Sequence, residues 1–267
     1  MRENKILKSL ASDKISIGAA VQSACVDNVE LVARNGYDYV WIDCEHGIID
    51  TTQCVQLVRS AEGFGITSLV RFADKNDRGA IQRLLDVGVG GVIVQEIETR
   101  EETARFASIM KFPPKGERGA CPGSRAFNVL GGNMMWEEFA ESANKNTMFC
   151  VLIESYKGVE NIEEIVRVPG VDMIVLGPFD LSHSLGYPGQ WDHPEVISAL
   201  TKVASVAKQQ GIPVMCVPLS PTPDGLKKEV ASWINKGCNV VTATIDTLCL
   251  NQSLRFTHDM LFQEFNK

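Results

Sequence analysis

The sequence has no dense cluster of lysine or arginine. With 26 basic against 33 acidic residues and a formal net charge of −7, it lacks the positive stripe that tracks a phosphate backbone, and nucleic acid is not expected as a partner. No apolar run reaches the roughly 18 residues that a membrane span needs. The first residues, Met1-Arg2-Glu3-Asn4-Lys5, lead into a polar stretch without the apolar segment of a secretory signal. No membrane association is expected, and a cytoplasmic location is. The eight cysteines include no C-x-x-C pair. Several, Cys150 and Cys216 among them, sit inside apolar runs, as reduced and mostly buried thiols do, which argues against a zinc cluster or a disulfide framework. No G-x-G-x-x-G loop follows the first expected strand, which weakens a dinucleotide-binding reading. The segments after the seventh and eighth strands, PLSPTPDG (218–225) and TIDTLCL (244–250), carry no Gly-rich phosphate loop.

What is present is a rhythm. Six times a helical stretch closes near a glycine and a short apolar run follows, at 35–43, 64–72, 87–96, 169–177, 210–218 and 236–244. The glycine suits the left-handed residue that ends a helix. The run after it is rich in Val and Ile and nearly continuous, as in a parallel strand buried on both faces. Two further runs, 15–21 and 147–154, bring the strands to eight. Helical patterns lie between them, at 26–34, 51–61, 77–86, 99–110, 159–166 and 194–209. Eight β-α units in 267 residues, with no linker, predict one domain over 1–267, a (β/α)8 barrel (TIM barrel) rather than an open sheet. The interval between the fourth and fifth strands breaks the rhythm. Its Pro- and Gly-rich part, 112–133, is expected to contribute to an active-site rim or to a subunit contact.

Catalytic groups of such barrels stand at the C-terminal ends of the strands. Here those ends carry Asp43, then Glu45 and His46; Arg71; Gln95 and Glu96; Glu154; and the segment Gly177-Pro178-Phe179-Asp180. Glu154 and Asp180 come from neighbouring strands, and two carboxylates with open positions suit a hard divalent cation, Mg²⁺ or Mn²⁺. Such an ion acts as a Lewis acid and stabilises an enolate. Arg71 offers a fixed charge for a carboxylate or an enolate oxygen. His46 is the candidate base, oriented or made more basic by Asp43. Backbone N–H groups at the start of the 177–182 segment suit a carboxylate. His183 could approach the rim, whereas His193 and His258 read as surface residues.

With these residues in view, the chain resembles the HpcH/HpaI class II aldolases of the phosphoenolpyruvate/pyruvate superfamily. The likeness is carried by YDYVWIDCEHG (37–47), LVRFADKND (69–77), LLDVGVGGVIV (84–94), KFPPKGERG (111–119), IES (153–155) and GPFDLSHSLG (177–186), in order from about 17 to 247. The resemblance implies a lyase that converts 4-hydroxy-2-oxo acids to pyruvate and an aldehyde, reversibly, through a metal-bound enolate. It implies Glu154 and Asp180 as metal ligands for Mg²⁺ or Mn²⁺, with Co²⁺ as an alternative, and Arg71 as the enolate's partner. His46, paired with Asp43, would move protons, and the backbone at Phe179 and Asp180 would hold the pyruvate carboxylate. Asp86 would support the site across a subunit interface. A homohexamer is implied, with the last helix, 247–265, swapped between partners. Two positions depart from the family pattern: Leu152 where a Gln is usual, on the same strand face as residue 154, and Phe179 where an Ala is usual. Both bear on substrate choice, and they keep open oxaloacetate decarboxylation or condensation onto another oxo acid. A non-catalytic barrel that binds a metabolite is a further alternative, disfavoured by the intact Glu154, Asp180, Arg71 and His46 set.

Overall fold

A computed structural model describes residues 3–265. Eight parallel strands close into a barrel in sequence order: β1 (Ser16–Val21), β2 (Tyr39–Asp43), β3 (Thr67–Arg71), β4 (Gly91–Val94), β5 (Met148–Ile153), β6 (Met173–Leu176), β7 (Val214–Cys216) and β8 (Val240–Ile245), with β8 pairing back onto β1. All eight expected strands are present. Every residue of β2 to β7 is buried, because one strand face meets the helices and the other the barrel lumen.

The two-residue period sorts the side chains. Val40, Ile42, Val70, Val92 and Val151 face the helices. Tyr39, Trp41, Leu69, Ile93, Cys150 and Leu152 fill the lumen. Continued by one step, the same alternation turns Asp43, Arg71 and Glu154 inward at the upper rim. The lower end is closed by a helix, Lys5–Ala11, that the polar N-terminus did not suggest. Asn4 caps it by accepting from the amides of Ile6 and Leu7, and donates to the carbonyls of Gly90 and Asn146. Ile6 then enters the lumen cluster fully buried.

Expected helices appear at Val26–Arg34, Thr51–Gly63, Arg78–Val87, Arg100–Met110 and Pro194–Gln209. The expected helix over 159–166 is instead two short ones, Tyr156–Glu160 and Ile162–Ile165. Asn161 interrupts them, its side-chain amide donating to the carbonyl of Glu98. All eight thiols are free, but only four of them are buried. No helix among the described residues is long and apolar enough to cross a membrane.

The 112–133 segment does not lie at the rim, the first of its two expected places. Helix Arg100–Met110 carries the chain back to the lower end before the segment begins. There Arg118 and Arg125 donate to the carbonyls of Leu85 and Val87, and Leu130 lines a small crevice with Asn4 and Gly90. Within one protomer it is not part of the rim around Asp43, Arg71 and Glu154.

Candidate active site

A cavity of about 310 Å³ opens at the upper end of the barrel, with Asp43, His46, Arg71, Glu154, Phe179 and Asp180 in its wall. It adjoins a more polar cleft of about 530 Å³, which shares His46, Glu154 and Asp180. The structure therefore brings Asp43, Glu45, His46, Arg71, Glu96, Glu154, Phe179 and Asp180 together, while Gln95 turns away.

Arg71 is the fixed centre. Its Nε and Nη2 donate to the two oxygens of Asp43 at 2.9 and 2.8 Å. Its Nη1 lies 2.7 Å from Glu45 Oε2, and its guanidinium lies over the ring of Trp41, 5.1 Å from the centroid. Burial works against the charge, but the two carboxylates overcome it and raise the pKa further. Burial likewise raises Asp43, yet the Arg71 bond and charge, with help from Gln22, leave its carboxyl below the ordinary value. Gln22 was not anticipated. It sits one alternation step beyond Ala20 on β1, and its amide donates to Asp43 at 2.9 Å. With three of its five N–H groups used, the guanidinium keeps two for a substrate.

Asp43 does not reach the imidazole of His46, as the expected pairing would require. Its Oδ1 accepts from the backbone amides of Glu45 and His46, since both its oxygens are already drawn toward Arg71. The ring of His46 is 59% exposed and lies 3.9 Å from Glu45. Asp43 thus shapes the loop that presents His46, and Glu45 is the carboxylate beside the ring.

Glu154 is 6% exposed. One oxygen accepts from the backbone N–H of Glu96 at 2.8 Å. Burial pushes its carboxyl up to about 8, with the charge of Asp180 adding to the rise. Gly177 makes room for it: a Cβ there would stand 2.5 Å from the Cβ of Glu154 and 3.1 Å from Oε2. The amide that holds Glu154 belongs to a residue in the left-handed region, Glu96 with φ 51°, a conformation that costs a non-glycine residue energy. Lys75 Nζ fixes the other side of Glu96, bonding its carbonyl at 2.7 Å and Glu102 at 2.9 Å. Neither Lys75 nor the Glu96 backbone stood out in the sequence, because no spacing rule reports a single left-handed residue.

Asp180 is exposed, at the third position of helix Pro178–Ser184. The N–H groups of Phe179 and Asp180 stand in its first turn, where helical amides have no acceptor within the helix. Gln95 turns aside and donates to the carbonyl of Phe72. His183 stays outside, its ring against Phe179. His193 caps helix Pro194–Gln209, and His258 is exposed. Asp86 is at the lower end of helix Arg78–Val87, bonded by Gln82 and 3.9 Å from Arg118, apart from the rim of its own chain.

Residues 18–244 match the model of HpcH/HpaI aldolase/citrate lyase. The chain belongs to that family. Among its relatives is a 5-keto-4-deoxy-D-glucarate aldolase of Klebsiella pneumoniae, 34% identical over 210 residues, 79% of this chain and 80% of the relative. An HpcH/HpaI aldolase from Desulfitobacterium hafniense superposes with a TM-score of 0.87 at 28% identity, covering 96% of each chain. The citrate synthase SbnG superposes with a TM-score of 0.84 at 27% identity, covering 97% of this chain and 98% of that one. As a member of the HpcH/HpaI family, the protein is a carbon–carbon lyase of the aldolase type.

Proposed function

We propose that this protein cleaves 4-hydroxy-2-oxo acids to pyruvate and an aldehyde, and joins the two in reverse, with a divalent cation held by Glu154 and Asp180. The observation that carries the reading is the buried Glu154 carboxylate beside Asp180, with the Arg71 guanidinium across the same cavity. The residues fit such an ion. Both donors are hard oxygens, they leave most coordination positions open, and a buried carboxylate next to another is what a cation relieves. Among the described residues no group of three or more His, Cys, Asp or Glu side chains forms a closed metal cage, so substrate and water would complete the shell. Bound there, Mg²⁺ or Mn²⁺, with Co²⁺ as an alternative, supplies Lewis-acid polarisation of a 2-oxo group.

The chain's own groups do the rest. The first-turn amides of Phe179 and Asp180 hold the pyruvate carboxylate. The two unused N–H groups of Arg71 face the oxygen that gains charge when the enolate forms, and the clamp by Asp43 and Glu45 keeps them from reorganising during the step. His46, exposed at the cavity edge, moves the proton between the C4 hydroxyl and solvent. Asp86 cannot act at its own rim and would serve a neighbouring subunit's site in a hexamer. Helix Asp246–Phe265 is the segment such an assembly would exchange.

Alanine variants test the roles. Glu154→Ala and Asp180→Ala are expected to lose Mn²⁺ binding, read by calorimetry, together with aldol cleavage. His46→Ala is expected to lose turnover by two or more orders of magnitude while keeping metal affinity. Near-wild-type turnover in any of the three contradicts the role given to it. The likeness to citrate synthase SbnG favours a second reading, condensation onto an oxo acid, which turnover of oxaloacetate in place of aldehydes would reveal.

A further inference from the structure

The cavity at the barrel mouth has two unlike sides. One holds the ionic groups described above. The other is built from Leu152, Leu176, Val217, Leu219, Ile245 and Leu248, with Phe179 at its lip, 48% exposed. This apolar wall is held in place: the amides of Leu219 and Ser220 donate to the carboxylate of Glu229 at 3.2 and 2.9 Å. Positive charge is scarce around it. Among the described residues, Arg71 is the sole Lys or Arg side chain lining the cavity, and it is already clamped by Asp43 and Glu45. The adjoining cleft is lined by Glu45, Glu96, Glu98 and Glu102, with Lys75 as the sole Lys or Arg in its lining among the described residues and Lys157 paired with Glu98 beside it. Lys75 is itself engaged by Glu102 and the Glu96 carbonyl.

Among the described residues of one protomer, the cavity therefore offers Arg71 and the Phe179 and Asp180 amides to the pyruvate end, and no Lys or Arg to a second carboxylate at the apolar wall. We propose that the substrate is a monoanion, a 4-hydroxy-2-oxo acid whose chain beyond C4 is uncharged and apolar, so that the partner aldehyde is an uncharged aliphatic or aromatic one. The inference rests on the aldolase reading above. In the joining direction a bond forms between pyruvate C3 and the aldehyde carbon, C3 gives up a proton, and the aldehyde oxygen takes one up, so no co-reactant is needed. A carboxylate at the far end of the aldehyde would leave water for the leucine wall without a partner, or face the glutamates of the cleft; either rejects it. An alkyl chain would be desolvated favourably against the same wall.

The test uses the whole protein with Mn²⁺ and pyruvate, and pairs aldehydes of equal carbon number: butanal against succinic semialdehyde, and ethanal against glyoxylate, with propanal and pentanal extending the alkyl series. Expected is a kcat/KM for butanal on the order of 100-fold above that for succinic semialdehyde, and a rise of roughly fourfold per methylene from propanal to pentanal. Leu219→Arg places a cation in the wall. It should raise kcat/KM for succinic semialdehyde by about tenfold and lower it for pentanal. Leu248→Arg, at an exposed helix position, should act in the same direction, and circular dichroism establishes that each variant is folded. Equal or better use of the anionic aldehydes by the unaltered protein overturns the proposal, as does an unchanged preference in both folded variants. Exchange of pyruvate methyl protons, followed in parallel, separates the two failures. Exchange with the wrong aldehyde preference removes only this inference, whereas absence of exchange removes the aldolase reading and this inference with it.

Discussion

Arg71 and Asp43 share two parallel N–H···O bonds in a place where neither side chain is more than 8% exposed. Removing Asp43 leaves the buried Arg71 charge with Glu45 as its remaining ion-pair partner. Asp43→Asn is therefore expected to lower stability at pH 7 by about 3–5 kcal/mol in urea unfolding. The sign of its pH dependence follows from the depressed Asp43 value. The contribution is complete above the unfolded value of about 3.9 and is lost as pH falls through the lower folded value. The gap between the variant and the unaltered protein should thus narrow from pH 6 toward pH 3; a constant gap would show that charge pairing is not its origin. Glu96 is the second residue with a distinct prediction. Lys75→Met frees the carbonyl side of a left-handed peptide whose cost is about 1–3 kcal/mol, so Mn²⁺ affinity should fall by roughly tenfold. Adding Glu96→Gly, which carries no such cost, should restore much of it.

At the scale of elements, all eight strands and most helices could be read from the sequence, because glycine ends and continuous Val- and Ile-rich runs are local signals. The strand ends also placed Asp43, Arg71 and Glu154 on one rim, and alternation put Leu152 on the same face as Glu154. What escaped depended on distant contacts. The helix Lys5–Ala11 looked polar because only Ile6, Leu7 and Leu10 meet the barrel floor. The 112–133 segment was expected at the rim or at a subunit contact; it is not at the rim of its own chain, because its place is set by how far the preceding helix carries the chain. The His46–Asp43 pairing failed because Arg71 competes for the same carboxylate, and a competition among three side chains leaves no mark in spacing. Ile6 provides the element-scale prediction. Fully buried at the closed end, its replacement by Ala should cost about 2–5 kcal/mol while leaving kcat unchanged, since the rim lies at the opposite end of the strands. A fall in kcat without loss of stability would contradict that separation.

For the whole molecule, helix Asp246–Phe265 has no buried residue along its length, yet it exposes Leu254, Phe256, Met260, Leu261, Phe262 and Phe265. Helices draw most of their stability from a packed apolar face, and exposed patches of this kind mark association surfaces. In the proposed hexamer this helix lies on a neighbour, and Asp86 reaches a neighbour's rim. Phe256→Asp with Phe262→Asp should therefore give smaller species by light scattering. Mixing Asp86→Ala with Glu154→Ala subunits should restore activity that neither has alone; no recovery would place Asp86 in a structural role only.

The central claim is that Glu154, Asp180 and Arg71 form an enolising site for pyruvate. Its most direct test is proton NMR of pyruvate in D₂O with the protein and Mg²⁺ or Mn²⁺, then with EDTA. The account predicts loss of the methyl signal with metal, its persistence with EDTA, and no exchange in Arg71→Ala. A methyl signal that survives every divalent metal, or that decays equally in EDTA, would contradict it.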